Sequence, residues 1–295
     1  MIYHNSKRKV TQIDAPEFAK LTVPANQPRP AARHGKVTQV ADDIYMVRGR
    51  MPSTPARPWF ERTFMHFSRT MTVLRCPDGA DGHDLTLINT IRLNEAGLAQ
   101  LQKLGRIAHI VRLGSFHGVD DAFYVDRFDA QYWTVAGMEH APGFGGEAQI
   151  LARDNLPVEG ADWFEFADLR FPEGVMILSA TLDRPGVAIT TDSIQNHTGA
   201  LDRDNSLLVS FAINKIGLKG PARLGPIWMR DQVEYTGAAL EDGAVKRAQM
   251  IACLRPQYEA LIRDFEFEML MPGHGWPIHQ GAREQIATSI EDQLS

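Results

Sequence analysis

The sequence predicts a mixed fold in which two β/α halves pack as one unit. Three observations support this prediction. A strand–helix–strand unit covers residues 85–113, a second β-rich block covers residues 163–191, and helical patterns follow at residues 207–216 and 244–264. No internal repeat and no low-complexity linker divides the 295 residues. We therefore expect a single packed unit rather than two separable domains.

The first residues differ in composition from the rest of the chain. Residues 1–35 are rich in proline and polar side chains, which predicts an N-terminal arm on the surface. The single domain is then expected to cover residues 36–295. Its first element is a predicted hairpin over residues 37–47, which turns at Asp42 and Asp43. Strands are predicted at residues 70–76 and 85–89.

A helix with clear end signals is predicted over residues 94–105. Asn94 is a favourable N-cap, and Leu98, Leu101 and Leu104 form an apolar stripe. Gly105 suits the C′ position, where glycine can adopt a left-handed backbone. The strand that follows, residues 107–113, implies a parallel pair with a right-handed crossover.

The remaining elements are assigned from shorter patterns. The predicted strands are residues 132–137, 163–166, 174–178, 187–191 and 267–271, and the predicted helices are residues 122–128, 207–216, 244–264 and a closing helix from 282.

Composition excludes several classes of function. The chain has 31 Lys and Arg against 36 Asp and Glu, a net charge of -5, so neither nucleic acid nor an anionic membrane is an expected partner. No apolar run approaches the roughly 20 residues needed to cross a bilayer. Two cysteines do not make a disulfide framework, and no secretory signal is recognisable at the start. We expect a cytoplasmic protein that acts on a small molecule.

Chemistry-bearing side chains follow three predicted strands. His117 and His274 each lie on a glycine-flanked turn after an apolar run, and Asp192 ends the strand that begins at Val187. Imidazoles and carboxylates at strand ends are typical of metal sites in α/β enzymes. The pattern suggests that all three residues belong to one site.

Taken in order, these segments resemble the metallo-β-lactamase fold superfamily over residues 36–280. The segments that carry the resemblance are Asp43-Ile-Tyr-Met-Val, Thr72-Val-Leu, Leu87-Ile-Asn89, Ala108-His-Ile-Val, the His117 turn, Ile189-Thr-Thr-Asp192-Ser and Pro272-Gly-His274-Gly. The resemblance implies an αββα sandwich, two mixed β-sheets flanked by helices. It also aligns Asp192 with a metal-bridging aspartate and His274 with the last histidine ligand of the family.

The metal motif of this family, His-x-His-x-Asp-His, is depleted in this chain. The aligned stretch keeps only the second histidine, His117, while Ser115, Val119 and Asp120 replace the other three ligands. Two histidines and one or two carboxylates still suit one divalent metal, zinc, iron or manganese. The family's two-metal site is not expected. The alternative is a polar cleft in which the histidines bind carboxylates without a metal.

The function implied is a metal-dependent hydrolase with a divergent active site. A metal-activated water would open an ester, lactone, thioester or phosphoester. His117, Asp192 and His274 would ligate the metal, and Asp120 or Asp121 would ligate or act as general base. The alternative is a non-catalytic protein of the same fold that has lost its metal and binds a small molecule or a protein partner. The sequence indicates neither the substrate nor the oligomeric state.

Three other histidines belong to segments expected near the cleft. His140 and His197 are each interpreted as loop residues that could approach the cleft, and His66 belongs to a stretch rich in arginine and aromatic residues. That stretch predicts a loop above the cleft, and its arginines could receive an anionic substrate.

Overall fold

The structure is a computed structural model that describes residues 30–51, 66–77, 82–138, 147–198 and 205–295. Most of the predicted N-terminal arm, residues 1–29, therefore lies outside the described residues, as does His140. The end of the arm lies along strand β2 (Ile44–Arg50), where Gly35 N–H donates to the Arg48 carbonyl oxygen at 2.7 Å.

Seven strands form the first sheet, in the order β1-β2-β3-β4-β5-β6-β7. Besides β2, they are β1 (Thr38–Ala41), β3 (Ser68–Pro77), β4 (His83–Ile88), β5 (Arg106–Arg112), β6 (Gln131–Thr134) and β7 (Ala148–Ile150). The pairs from β1 to β4 are antiparallel, and the pairs from β4 to β7 are parallel. The predicted strand–helix–strand unit therefore forms a parallel pair.

A second sheet of four strands has the order β13-β10-β9-β8. Its strands are β8 (Ala161–Glu165), β9 (Gly174–Leu178), β10 (Val187–Ile189) and β13 (Met269–Met271). β10 is parallel to β13 and antiparallel to β9. Two further strands, β11 (Ile194–His197) and β12 (Gly220–Leu224), pair antiparallel beside this sheet.

Six α-helices complete the described part of the chain. They are α1 (Glu95–Gln102), α2 (Asp121–Phe128), α3 (Leu207–Lys215), α4 (Pro226–Gln232), α5 (Gly243–Asp264) and α6 (Ala282–Leu294). In the described ranges, none of these helices combines the length and the apolar character needed to span a membrane.

Three apolar clusters separate four layers of secondary structure. Residues of α1 and α2 pack on one face of the first sheet, where Leu87 and Ile110 are buried. The other face of that sheet packs against the second sheet through residues such as Val111 and Ile189. The outer face of the second sheet, which includes Ala188, packs against α5 and α6. Neighbouring residues of one strand thus enter different clusters, as the two-residue period of a strand requires. The result is the expected αββα sandwich.

The N-cap of α1 is confirmed, whereas the predicted end of this helix is wrong. The Asn94 side chain accepts the Gly97 N–H, but the helix ends at Gln102 with Lys103 as its C-cap. Gly105 lies beyond the cap and does not adopt a left-handed backbone. Its small size serves packing instead, because a Cβ there would lie 2.3 Å from the His83 carbonyl oxygen.

Candidate metal centre

The three predicted ligand segments meet at one edge of the two sheets. β10 and β13 are parallel, so the residues after Ile189 and Met271 leave the second sheet side by side. Gly114, just after β5, forms a bridge with Glu173 at the start of β9. Since β9 is antiparallel to β10, its start lies beside the end of β10. The loop after β5 is thereby brought to the same edge.

His117, Asp192 and His274 form one compact cluster at this edge. The two histidine Nε2 atoms lie 3.2 Å apart. One Asp192 oxygen lies 3.2 Å from His274 Nε2, and the other lies 3.4 Å from His117 Nε2. Among the residues that the structure describes, this is the one group of three or more His, Cys, Asp or Glu that could hold a metal ion. The structure thus brings together the three ligands proposed from the sequence.

Backbone contacts fix the orientation of His274. Its Nδ1 atom lies 2.6 Å from the carbonyl oxygen of Ser68. A carbonyl only accepts hydrogen bonds, so Nδ1 donates to it and Nε2 is the ring nitrogen that faces His117 and Asp192. A backbone carbonyl behind a ligating imidazole is a common arrangement in metal sites.

The loop of His117 is held by a buried arginine. The Arg112 guanidinium donates to the carbonyl oxygens of Gly114 and Ser115, which belong to this loop. His117 is 3% exposed, and burial lowers its pKa to about 3 against the opposing effect of Asp192. The ring is therefore neutral at physiological pH, the state in which histidine binds metals.

Asp192 is ionised despite its surroundings. Burial raises the pKa of its carboxyl, but His117, His274 and Arg69 together lower it below the usual value. Behind it, Glu173 accepts the Ser193 N–H at 2.8 Å. Burial and the Asp192 charge raise the pKa of Glu173 to about 8. Asp192 is accordingly the carboxylate of this pair at neutral pH, and Glu173 holds its loop.

The donor set fits a cation. His117 Nε2, His274 Nε2 and the two Asp192 carboxylate oxygens lie within 3.2–3.4 Å of a neighbour in the cluster, and Asp192 Oδ2 accepts no hydrogen bond. Lone pairs 3.2–3.4 Å apart repel unless a proton or a metal ion lies among them. Two imidazoles and a carboxylate are a common ligand set for zinc, iron or manganese.

The cluster adjoins a cavity of about 310 Å³. Asp192 and His274 belong to the cavity wall, and most of the remaining wall is apolar. Val119, from the loop of His117, also lines it. The centre is therefore accessible to a small molecule from one side.

Solved structures share this arrangement of sheets and helices. The metallo-β-lactamase FIM-1 from Pseudomonas aeruginosa, in a mono-zinc form, aligns over 89% of this chain and 97% of its own, with a TM-score of 0.51 and 12% identity. VMB-1 aligns over 88% and 98%, with a TM-score of 0.52 and 11% identity. The DIM-1 metallo-β-lactamase exposed to ceftazidime aligns over 90% and 99%, with a TM-score of 0.51 and 12% identity. The chain has the metallo-β-lactamase fold. No protein-family model matches the sequence, and no curated protein matches it.

Asp120 and Asp121 lie next to the cluster but outside it. Asp121 accepts hydrogen bonds from Thr90 Oγ1 at 2.5 Å and from the Tyr132 hydroxyl at 2.9 Å. Burial raises its pKa. Asp120 lies 3.6 Å from Arg69 Nη1. Neither carboxylate lines the cavity. The prediction that one of them ligates the metal or acts as general base stays a prediction.

Two charged residues of the centre have positions that the sequence did not predict. Arg69 belongs to the arginine- and aromatic-rich stretch expected to receive an anionic substrate, but it does not line the cavity. Arg69 is fully buried beside Asp120, and burial lowers its pKa to about 10 although Asp121 and Asp192 oppose this. Glu173 is also fully buried. Each is the one acidic or basic residue close to the start of a predicted apolar strand. A charged residue at the start of an apolar strand was the sequence signal that could have suggested a place at this edge of the metallo-β-lactamase fold.

The other histidines differ in their positions. His197 lines the cavity, and its Nε2 lies 3.0 Å from Gln195 Oε1. The carbonyl oxygen of His66 accepts the Ser206 N–H at 3.0 Å. Neither belongs to the ligand cluster. Most of the arginine- and aromatic-rich stretch, residues 52–65, lies outside the described residues.

Proposed function

We propose that the protein is a metal-dependent hydrolase that holds one divalent ion with His117, Asp192 and His274. The convergence of these three side chains, two of which line a cavity, is the observation that carries the proposal. Three protein ligands with a position left for water or substrate are typical of catalytic rather than structural metal sites.

The proposed ion is zinc, iron or manganese. A divalent ion in such a site lowers the pKa of water towards neutrality and polarises a carbonyl oxygen. A single ion is proposed because the described residues offer one ligand cluster, and because the Arg69 guanidinium already supplies a positive charge beside Asp120. The mono-zinc form of FIM-1 provides a precedent for one ion in this fold.

The proposed substrates are carboxylic esters, lactones or thioesters. Hydrolysis adds the oxygen of water to the acyl carbon, breaks the bond to the leaving oxygen or sulfur, and transfers a proton of water to the leaving group. The cavity wall contains no lysine or arginine among the described residues. A phosphoester carries negative charge that this wall would not neutralise, so phosphoesters are less favoured.

Asp120 and Asp121 are assigned a positioning role. Asp120 keeps Arg69 in place, and Asp121 connects Thr90 and Tyr132 beneath the His117 loop. We propose that these carboxylates hold the loop and balance the charge of the two buried arginines. His117 and His274 hold the ion, and Asp192 completes its ligands and faces the substrate.

Metal analysis tests the first half of the proposal. Wild-type protein purified without chelator is expected to contain about one equivalent of zinc, iron or manganese. The double variant His117→Ala/His274→Ala should lose it. His279→Ala is the matched control, because His279 is exposed and outside the cluster. Equal metal content in all three proteins would overturn the proposed ligands.

Hydrolysis tests the second half. The metal-loaded protein should hydrolyse carboxylic, lactone or thioester substrates, and both chelation and Asp192→Asn should abolish the activity. Neither bound metal nor hydrolysis of any such substrate would instead favour the alternative, a non-catalytic protein that has lost its metal and binds a small molecule or a protein partner.

A further inference from the structure

The wall of the cavity beside the candidate metal centre is mostly apolar and contains a few polar side chains. Asp192 and His274 contribute polar atoms to it, as do Gln195, His197 and Asp231, and the side chains Phe67, Phe116 and Ile213 contribute to its apolar part. Apolar surface covers most of the remaining wall, to which Trp228 and Leu218 also belong. A ligand that fills this space must therefore carry a polar group at one end and an apolar body.

The charged side chains in the described part of the cavity wall are acidic. Asp192 and Asp231 are its only formally charged side chains among the described residues, and no lysine or arginine lines it. Asp231 is paired with Arg230, which bonds it at 2.7 Å and 3.0 Å. Against the described part of the wall, a ligand whose apolar body ended in a carboxylate would lose hydration without gaining a cationic partner. The apolar body should therefore be uncharged.

The volume limits the length of the ligand. A cavity of about 310 Å³ has room for about ten water molecules at about 30 Å³ each, and a ligand with a similar number of non-hydrogen atoms fills a comparable space. An acyl chain of about eight carbons with its carbonyl group has this size. A much longer chain would have to extend out of the cavity.

We infer that this cavity binds the acyl part of a neutral, medium-chain ester, lactone or thioester, with the carbonyl at the proposed metal site beside Asp192 and His274 and the alkyl chain against the apolar wall. The inference rests on the proposed function for the position of the carbonyl. It adds the substrate class, and its test measures binding rather than hydrolysis.

Calorimetric titration with straight-chain amides tests the length preference. Amides are neutral and resist hydrolysis, so binding is measured whether or not the protein is an active hydrolase. From acetamide through butanamide and hexanamide to octanamide, the affinity should rise about fourfold per added CH₂. Decanamide should gain little more. An affinity that does not change with chain length would overturn the inference.

A matched pair of ligands tests the charge preference. Octanamide and the monoamide of octanedioic acid have similar lengths, but the second ends in a carboxylate. In metal-free protein the carboxylate should weaken binding at least about tenfold. Equal affinities, or tighter binding of the charged amide, would contradict an uncharged acyl pocket.

A surface variant locates the binding. Ile227 lines the cavity, is 47% exposed and lies in the first turn of α4, where an added carboxylate is tolerated. Ile227→Asp should weaken octanamide binding about tenfold without unfolding the protein. Leu240→Asp is the control, because Leu240 is 63% exposed and does not line the cavity.

These results separate the inference from the proposed function. Octanamide binding that Ile227→Asp weakens, in a protein without metal or activity, would sustain the pocket and reject the hydrolase. The opposite result is an active, metal-loaded protein whose Ile227→Asp and Leu240→Asp variants bind octanamide as wild type does. It would support the hydrolase and reject the acyl pocket.

Discussion

At the scale of single residues, a buried guanidinium balances the negative charge of the centre. Arg69 is fully buried, with Asp120 at 3.6 Å and the carbonyl oxygen of Thr90 as a hydrogen-bond acceptor. Asp121 and Asp192 both raise its pKa. A buried charge without compensation is strongly unfavourable, so these groups depend on one another.

Arg69→Met should therefore destabilise the fold by about 3–5 kcal/mol at pH 7, because carboxylates remain buried without their counter-charge. The penalty should shrink near pH 5, where those carboxylates can take up protons. Adding Asp120→Asn should recover part of the loss. Denaturant unfolding at both pH values measures these effects. A penalty below about 1 kcal/mol at pH 7 would show that Arg69 only fills space.

Glu173 makes the stability of the metal-free protein depend on pH. Its folded pKa is about 8, above the value of about 4.3 expected in the unfolded chain. Between these values the folded state binds a proton that the unfolded chain has released. The contribution of Glu173 to stability therefore falls as pH rises through this window, by up to about 1.4 kcal/mol per pH unit, and levels off above pH 8.

Glu173→Gln removes this titration but keeps the shape of the side chain. The variant should gain stability relative to wild type from about pH 5 to about pH 8. Chemical unfolding of chelated protein across this range gives the comparison. Parallel stability curves for the two proteins would mean that Glu173 is already ionised in the fold.

Some residues of the site could be predicted from the sequence, and others could not. His117, Asp192 and His274 could be predicted, because each follows an apolar strand and two lie between glycines. Arg69 and Glu173 could not be assigned to the site. Their neighbours along the chain do not differ from those of an ordinary strand end, and their partners Asp120 and Ser193 become neighbours only on folding.

At the scale of elements, the turn that carries His274 depends on close packing. A Cβ at Gly273 would lie 3.0 Å from Thr191 Cα and 3.1 Å from His117 Cε1. Gly275 has a φ of +90°, and a Cβ there would lie 1.8 Å from the Asn196 carbonyl oxygen. The glycines therefore allow the His274 turn to approach the loops of both other ligands.

Gly273→Ala should push these loops apart by a few tenths of an ångström. We expect metal affinity to fall about tenfold, with about 1–3 kcal/mol of lost stability. Gly243→Ala is the control, because a Cβ at Gly243 meets no atom within 4 Å. Chelator competition measures the affinity. A Gly273→Ala protein that binds metal like wild type would show that the close contact does not shape the site.

Element starts were predicted better than element ends. Asn94 begins α1 as expected, since its side chain caps the first turn by a local contact with Gly97. The predicted end at Gly105 was wrong because a tertiary contact explains this glycine. A Cβ there would collide with the His83 carbonyl oxygen. Local hydrogen bonds are encoded in a few residues, whereas packing contacts involve strands far apart in the chain.

At the scale of the whole molecule, the layer order could be predicted but not every strand pairing. The strand–helix–strand unit implied parallel β4 and β5, and the structure has this pair. The parallel pairing of β10 with β13 joins residues about 80 positions apart, and no local pattern specifies it. Yet this pairing places Asp192 beside His274. The site is thus a consequence of long-range topology that the resemblance, rather than the periodicity, indicated.

One measurement tests the central claim most directly: anomalous diffraction at the zinc absorption edge from crystals of zinc-loaded protein. The account predicts a single zinc peak within about 2.0–2.2 Å of His117 Nε2, His274 Nε2 and an Asp192 oxygen. A crystal with the three side chains in place but no zinc peak among them, or with zinc bound elsewhere, would contradict it.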